Sequence, residues 1–227
     1  MKLIFIIIAV AYLLLFLVRW LLSLIYYKKG KSDVTDFPEE LFTVVQPILS
    51  GDPRLESDLR ANLQQTKTVE FYWLIDQSDT EAQRVANKIC QDELFSQRIR
   101  IFLIEDVPQG INPKSYKIEQ VVEDLTRPYL IVLDDDSVID FSKMGEPTAY
   151  LGQEVILTGI PYNQERSNFW SKLVASFVNG NSLITYFTMA QVEANHSING
   201  MFYILPVNLV KDQDLFTAIK DYLCDDL

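Results

Sequence analysis

Apolar positions in this chain fall into two regimes. Over residues 3–27 they are almost unbroken, interrupted by Arg19 and Ser23. As a helix that run spans roughly 37 Å, enough for a bilayer core of about 30 Å. Trp20, Tyr26 and Tyr27 gather toward one end, where amphipathic rings prefer the membrane interface. Arg19 is deep for a charge, but its long stem can snorkel toward that end. Lys28, Lys29 and Lys31 follow the run and Lys2 alone precedes it, so the positive-inside rule expects the chain from residue 28 onward in the cytoplasm. No small-x-small cleavage site follows Tyr27, so the segment reads as an uncleaved single-pass anchor rather than a signal peptide.

After a polar linker over 28–41, the pattern becomes short apolar runs alternating with amphipathic stretches. Strands are expected at 41–49, with Pro47 as a break, and at 70–75, 98–104 and 129–133. Helical spacing covers 55–65, 80–95 and 114–126. Strand–helix alternation of this kind predicts an α/β domain over 42–227, with a mostly parallel sheet flanked by helices. Further on, 154–158 and 198–205 read as strands, and 170–189 and 213–223 as helices. Trp170, Phe177 and Tyr186 read as core or membrane-facing packing. Parallel crossovers put ligands beyond the carboxyl ends of the strands. Asp52, Asp76 and Asp134 each follow a strand, so all three are expected at that edge.

Composition narrows the function classes. Of 227 residues, 48% are hydrophobic and 12% aromatic, which argues against disorder. A net charge of −11 argues against a nucleic-acid partner, because phosphate backbones need clustered Lys and Arg. Cys90 and Cys224 lie far apart, with no disulfide framework or zinc spacing, as in a reducing compartment. The single histidine, His196, has no motif around it and reads as structural.

The densest chemistry is Asp134-Asp135-Asp136, directly after the apolar run 129–133. Three adjacent like charges need a cation, a shared proton or full hydration. On an extended chain Asp134 and Asp136 point the same way and both reach one ion, while Asp135 points to the other side. A divalent metal is therefore the first reading, with a solvated turn as the plain alternative. By the same token Asp76 and Asp79 suit a helix N-terminus, Lys114 a surface turn, and Asp225 and Asp226 an exposed acidic tail.

Several segments then line up in order: Pro-Ile-Leu-Ser-Gly-Asp-Pro at 47–53, Ile-Asp-Gln-Ser-Asp at 75–79, Gly-Ile-Asn-Pro-Lys at 110–114, the Asp triplet, Gly-Ile-Pro-Tyr at 159–162, Gly-Met at 200–201 and Cys-Asp-Asp-Leu at 224–227. The order resembles family 2-like glycosyltransferases with a GT-A fold, and within them the ceramide glucosyltransferase branch and its bacterial relatives. The resemblance covers about 42–227. It implies a sugar, glucose first, moved from a UDP-sugar donor to a membrane lipid acceptor with inversion. Asp76 and Asp79 would stand at the nucleotide's base or ribose, with Lys114 near the donor. Asp134 and Asp136 would hold Mg²⁺ or Mn²⁺ on the diphosphate, and Asp226, or Asp225, would be the general base. The family's Gln/Arg-x-x-Arg-Trp motif and later membrane segments do not follow. The resemblance therefore implies a domain incomplete at its C-terminus, with weak or absent transfer by this chain alone.

Two other readings stand beside this one. A membrane-anchored module could bind a nucleotide-sugar without turnover. A haloacid-dehalogenase-like phosphatase also places Asp-x-Asp after a strand, with the first Asp as nucleophile, but there the motif follows the first strand, and here three strands precede it.

Overall fold

The structure is a computed structural model and describes residues 2–29, 37–144, 150–164, 168–194 and 197–222. In chain order its elements are α1 (Lys2–Lys29), β1 (Phe42–Ile48), α2 (Leu55–Gln64), β2 (Glu70–Asp76), α3 (Thr80–Cys90), α4 (Glu93–Ser96), β3 (Ile99–Ile104), α5 (Pro113–Glu119), β4 (Tyr129–Leu133), β5 (Leu157–Thr158), α6 (Phe169–Gln191), β6 (Phe202–Pro206), α7 (Val207–Asp212) and α8 (Leu215–Ile219). Backbone contacts divide the chain into two compact units that do not follow chain order. One joins Met1–Ser32 to Ile160–Ser197, and the other joins Asp33–Gly159 to Ile198–Leu227.

The larger unit is the α/β body. Among the described residues six strands form one sheet in the order β3-β2-β1-β4-β6-β5. β1, β2, β3 and β4 run parallel, while β6 is antiparallel to both β4 and β5. The sheet is therefore mostly parallel, as expected. Its central strands are covered on both faces, because side chains alternate across a strand. Phe71, Trp73 and Ile75 meet Leu59, Leu63 and Ile89 of α2 and α3 on one face. Tyr72 and Leu74 meet Ile118, Val210 and Phe216 on the other.

Pro47 does not end β1. The β1–β4 pairing stops at Val45, so the proline sits beyond that ladder, where its missing N–H breaks no pair with β4. The predicted helix over 80–95 divides in two, because the Asp92 carboxylate accepts from Leu94 N and starts a new helix. The helix expected over 114–126 ends at Glu119, and a 3₁₀ turn covers Val122–Asp124.

The smaller unit pairs α1 with α6. α1 is long and apolar enough to cross a bilayer. Its two polar interruptions both reach α6: Arg19 Nη2 donates to Thr185 Oγ1 at 2.9 Å, and Ser23 Oγ donates to the Leu183 carbonyl at 3.3 Å. Thr188 Oγ1 returns a hydrogen bond to the Arg19 carbonyl at 2.9 Å.

Candidate functional site

Strand order fixes where the crevice lies. From β1 the chain steps outward to β2 and β3, then returns to place β4 on the other side of β1. Connections diverge at that switch point, so space opens beyond the carboxyl ends of β1 and β4. The Asp triplet sits there. Asp134 N donates to the Met201 carbonyl at 3.0 Å, and Ser137 N to the Asp134 carbonyl at 3.1 Å.

Those bonds correct the expectation for Asp135. The triplet is a turn rather than a continuation of the strand, so strict two-residue alternation does not apply. The Asp135 carboxylate accepts from Leu49 N at 2.7 Å, which ties the turn to the end of β1. Burial pushes its pKa above the usual carboxylate range against that hydrogen bond, and the charges of Asp136 and Asp134 add to the rise.

The triplet is held from two further directions. Trp73 Nε1 donates to Gln46 Oε1 at 3.2 Å, and Gln46 Nε2 to the Asp134 carbonyl at 3.5 Å. Asn62, fully buried on α2, donates to the Ser137 carbonyl and accepts from Ile139 N, both at 2.9 Å. A buried amide with both ends used fixes the chain that leaves the turn.

α5 supplies two cations. Asn112 caps it, accepting from Lys114 N and Ser115 N, and Pro113 occupies the first turn where a missing N–H costs nothing. Lys114 and Lys117 are three residues apart and so share a helix face. Lys114 Nζ donates to Asp134 Oδ1 at 2.8 Å and to the Gly200 carbonyl, and lies 5.6 Å from the centre of the Tyr203 ring. Lys117, 95% buried as a side chain, donates to Asp76 Oδ2 at 2.9 Å and to the Ile48 carbonyl at 3.5 Å. Asp76 Oδ1 is buried with no hydrogen-bond partner.

Asp79 is the N-cap of α3, accepting from Ala82 N at 2.9 Å, and its second oxygen accepts from Ser50 N at 2.7 Å. Burial opposes its charge, but the hydrogen bonds from Ala82 and Ser50 outweigh that and hold its carboxyl below the ordinary value. Asp52 pairs with Arg54 at 3.3 Å, and the field of Asp136 also reaches Arg54.

The structure thus brings Asp76, Asp79, Lys114, Asp134 and Asp136 to one sheet edge, together with Asp52. Asp225, Asp226, Cys224 and His196 lie outside the described residues. Among the described residues, no three His, Cys, Asp or Glu side chains are grouped closely enough to hold a metal ion. Asp134 and Asp136 offer hard oxygens suited to Mg²⁺ or Mn²⁺, which commonly use one or two carboxylates and complete their shell with substrate phosphate. Asp134 Oδ1 is ion-paired with Lys114 Nζ at 2.8 Å, so the described side chains form no preformed cage. A cavity of about 540 Å³ opens elsewhere, lined by Arg127, Tyr129, Glu154 and Lys211 among others. It lies at the amino end of β4, away from the triplet, so its size is no guide to the chemistry.

Sequence reasoning missed Lys117, Gln46 and Asn62. A signal for Lys117 existed, since it falls one turn after Lys114 on a helix that starts at Asn112-Pro113.

No protein-family model matches this chain, and no curated protein matches it. Solved structures do. The mannosyltransferase PcManGT from Pyrobaculum calidifontis, in complex with GDP-Man and Mn²⁺, aligns with a TM-score of 0.55 at 14% identity, over 86% of this chain and 55% of that one. The fold is the GT-A fold. TarS from S. aureus, in complex with UDP-GlcNAc, aligns at 0.46 and 13% identity, over 76% of this chain and 47% of that one. Glucosyl-3-phosphoglycerate synthase from Mycobacterium tuberculosis aligns at 0.43 and 13% identity, over 75% and 57%. This GT-A chain spans about half the length of those proteins. At such identities the likeness is one of fold.

Proposed function

We propose that this chain carries the donor-binding part of a membrane-anchored inverting glycosyltransferase that takes a nucleotide-sugar and delivers the sugar to a lipid. The observation that carries the reading is α5. Its paired lysines reach Asp76, which ends β2, and Asp134, which follows β4, on either side of β1 in a GT-A sheet.

In this reading the Asp76 carboxylate, oriented by Lys117, stands at the nucleoside end of the donor site. Asp79 holds the β1 loop beside it through Ser50. Lys114 places a positive charge where a diphosphate leaving group gathers negative charge. Asp134 and Asp136 would hold Mg²⁺ or Mn²⁺, and such an ion neutralises a departing diphosphate. Asp226, or Asp225, takes the proton from the acceptor hydroxyl. The apolar run of α1 anchors the site at a membrane surface, with Lys28 and Lys29 favouring the cytoplasmic side. That favours a lipid acceptor, with glucose from UDP-glucose as the first candidate and a ceramide glucosyltransferase-like branch as the closest in motif order.

Calorimetry on the full chain in detergent tests the pocket, using UDP, GDP and their sugar conjugates with and without Mn²⁺. Saturable, Mn²⁺-dependent binding that is lost in Asp134→Ala is expected. Equal binding by wild type and Asp134→Ala would overturn the assignment. Transfer of radiolabelled sugar to extracted lipid separates an enzyme from a module that binds without turnover.

A further inference from the structure

α6 does not look like a helix of the α/β body. It belongs to the compact unit of α1, and its first half is exposed where a soluble helix would be polar. Phe169, Trp170, Leu173, Val174 and Phe177 are each more than half exposed, with Phe177 at 74%. At 100° per residue they fall within an arc of roughly 140°. Lys172 and Asn179 lie on the opposite side of the same turns.

The second half of α6 shows which phase covers that stripe. Arg19 lies about 12 Å along α1 from Tyr27, inside the apolar run. A charge at such a depth is costly and gains from a polar protein partner. Thr185 supplies it, while Thr188 bonds the Arg19 carbonyl and Ser23 bonds the Leu183 carbonyl. Phe187 packs on Tyr26, ring centres 5.2 Å apart. These polar contacts join α1 to α6, part-buried at Ser23 and Thr188 and exposed at Arg19, while large apolar side chains of both helices stay exposed. α6 carries Lys172, Asn179, Asn181 and Ser182, and among the described residues α1 is the one helix long and apolar enough to span a bilayer.

We propose that α6 is an interfacial membrane helix, with Phe169, Trp170, Leu173, Val174 and Phe177 bedded among acyl chains at the depth of the Arg19–Tyr27 segment of α1. This rests on the membrane reading of α1. The partner is lipid rather than a second protein.

The test uses the full chain with Cys90→Ser and Cys224→Ser, reconstituted into liposomes. An environment-sensitive fluorophore is placed singly by Leu173→Cys, Phe177→Cys, Leu13→Cys or Leu94→Cys. Positions 173, 177 and 94 are all exposed, so the label is tolerated. Nitroxide lipids quench from either the headgroup region or deep in the chains. Labels at 173 and 177 should be quenched several-fold more by the shallow nitroxide than the label at 94, and the label at 13 more by the deep one. If 13 is quenched while 173 and 177 behave like 94, the α6 assignment fails and the anchor survives. An unquenched label at 13 overturns the anchor and this inference together. Labels at 173 and 177 that are shielded from water yet unquenched would mean protein covers the stripe, which also refutes the assignment.

Discussion

Lys117→Met removes the ammonium from a side chain of matching length and leaves the Asp76 carboxylate in place. Lys117 is 5% exposed and Asp76 18%. Asp76 Oδ1 already lacks a partner, so the variant strips Oδ2 of its cation as well. Removing one member of a buried pair costs about 3–5 kcal/mol, mostly the penalty of the stranded charge. Residual exposure of Asp76 puts this case near the lower end, at about 3 kcal/mol. For a chain of this size that lowers Tm by about 6–12 °C. Urea unfolding followed by tryptophan fluorescence would report it, since Trp73 is fully buried in β2. Lys67→Met, at an exposed site, should change stability by no more than about 0.5 kcal/mol. The double variant Lys117→Met/Asp76→Asn should cost less than the two single changes together by about 1–3 kcal/mol, the coupling expected of contacting groups. A loss under about 1 kcal/mol in Lys117→Met, or strict additivity in the cycle, would refute the argument that this pair ties α5 to β2.

Three further outcomes are expected. Asp134→Ala should weaken Mn²⁺-dependent nucleotide binding by at least tenfold, about the least that loss of a metal's outer-shell partner costs, as read by calorimetry. Asp79→Ala should cost about 1 kcal/mol at neutral pH through loss of the N-cap. Because hydrogen bonds hold the Asp79 carboxyl below its ordinary value, its contribution is present above the unfolded pKa of about 3.9 and is lost as pH falls through the lower folded value. The stability gap between wild type and Asp79→Ala should therefore narrow below about pH 4, and a gap constant with pH would contradict this. Gly159→Ala places a Cβ 2.5 Å from Phe202 Cδ1, so it should destabilise by about 1–3 kcal/mol. Phe202→Leu in the same chain should recover part of the loss in thermal melts.

Local patterning along the chain was enough to mark the elements and the chemistry they carry. Hydrophobic period and length marked α1, and β-rich runs bounded by Asp, Gly and Pro marked the parallel strands. Strand–helix alternation then implied that Asp76 and Asp134 share an edge, because parallel strands all end on the same side. Tertiary structure decided what periodicity cannot encode. Only the strand order, with β1 inside and β4 on its far side, places the triplet at a switch point. Only the turn after Leu133 gives Asp135 to Leu49 N, since two-residue alternation holds only while the backbone stays extended. Lys117 reads as an ordinary helical lysine until β2 ends beside it and buries it. The assignment of α6 to α1 rests on contacts across about 165 residues of sequence. Local pattern reports the polarity of a face, but the partner that satisfies Arg19 is chosen by packing in three dimensions.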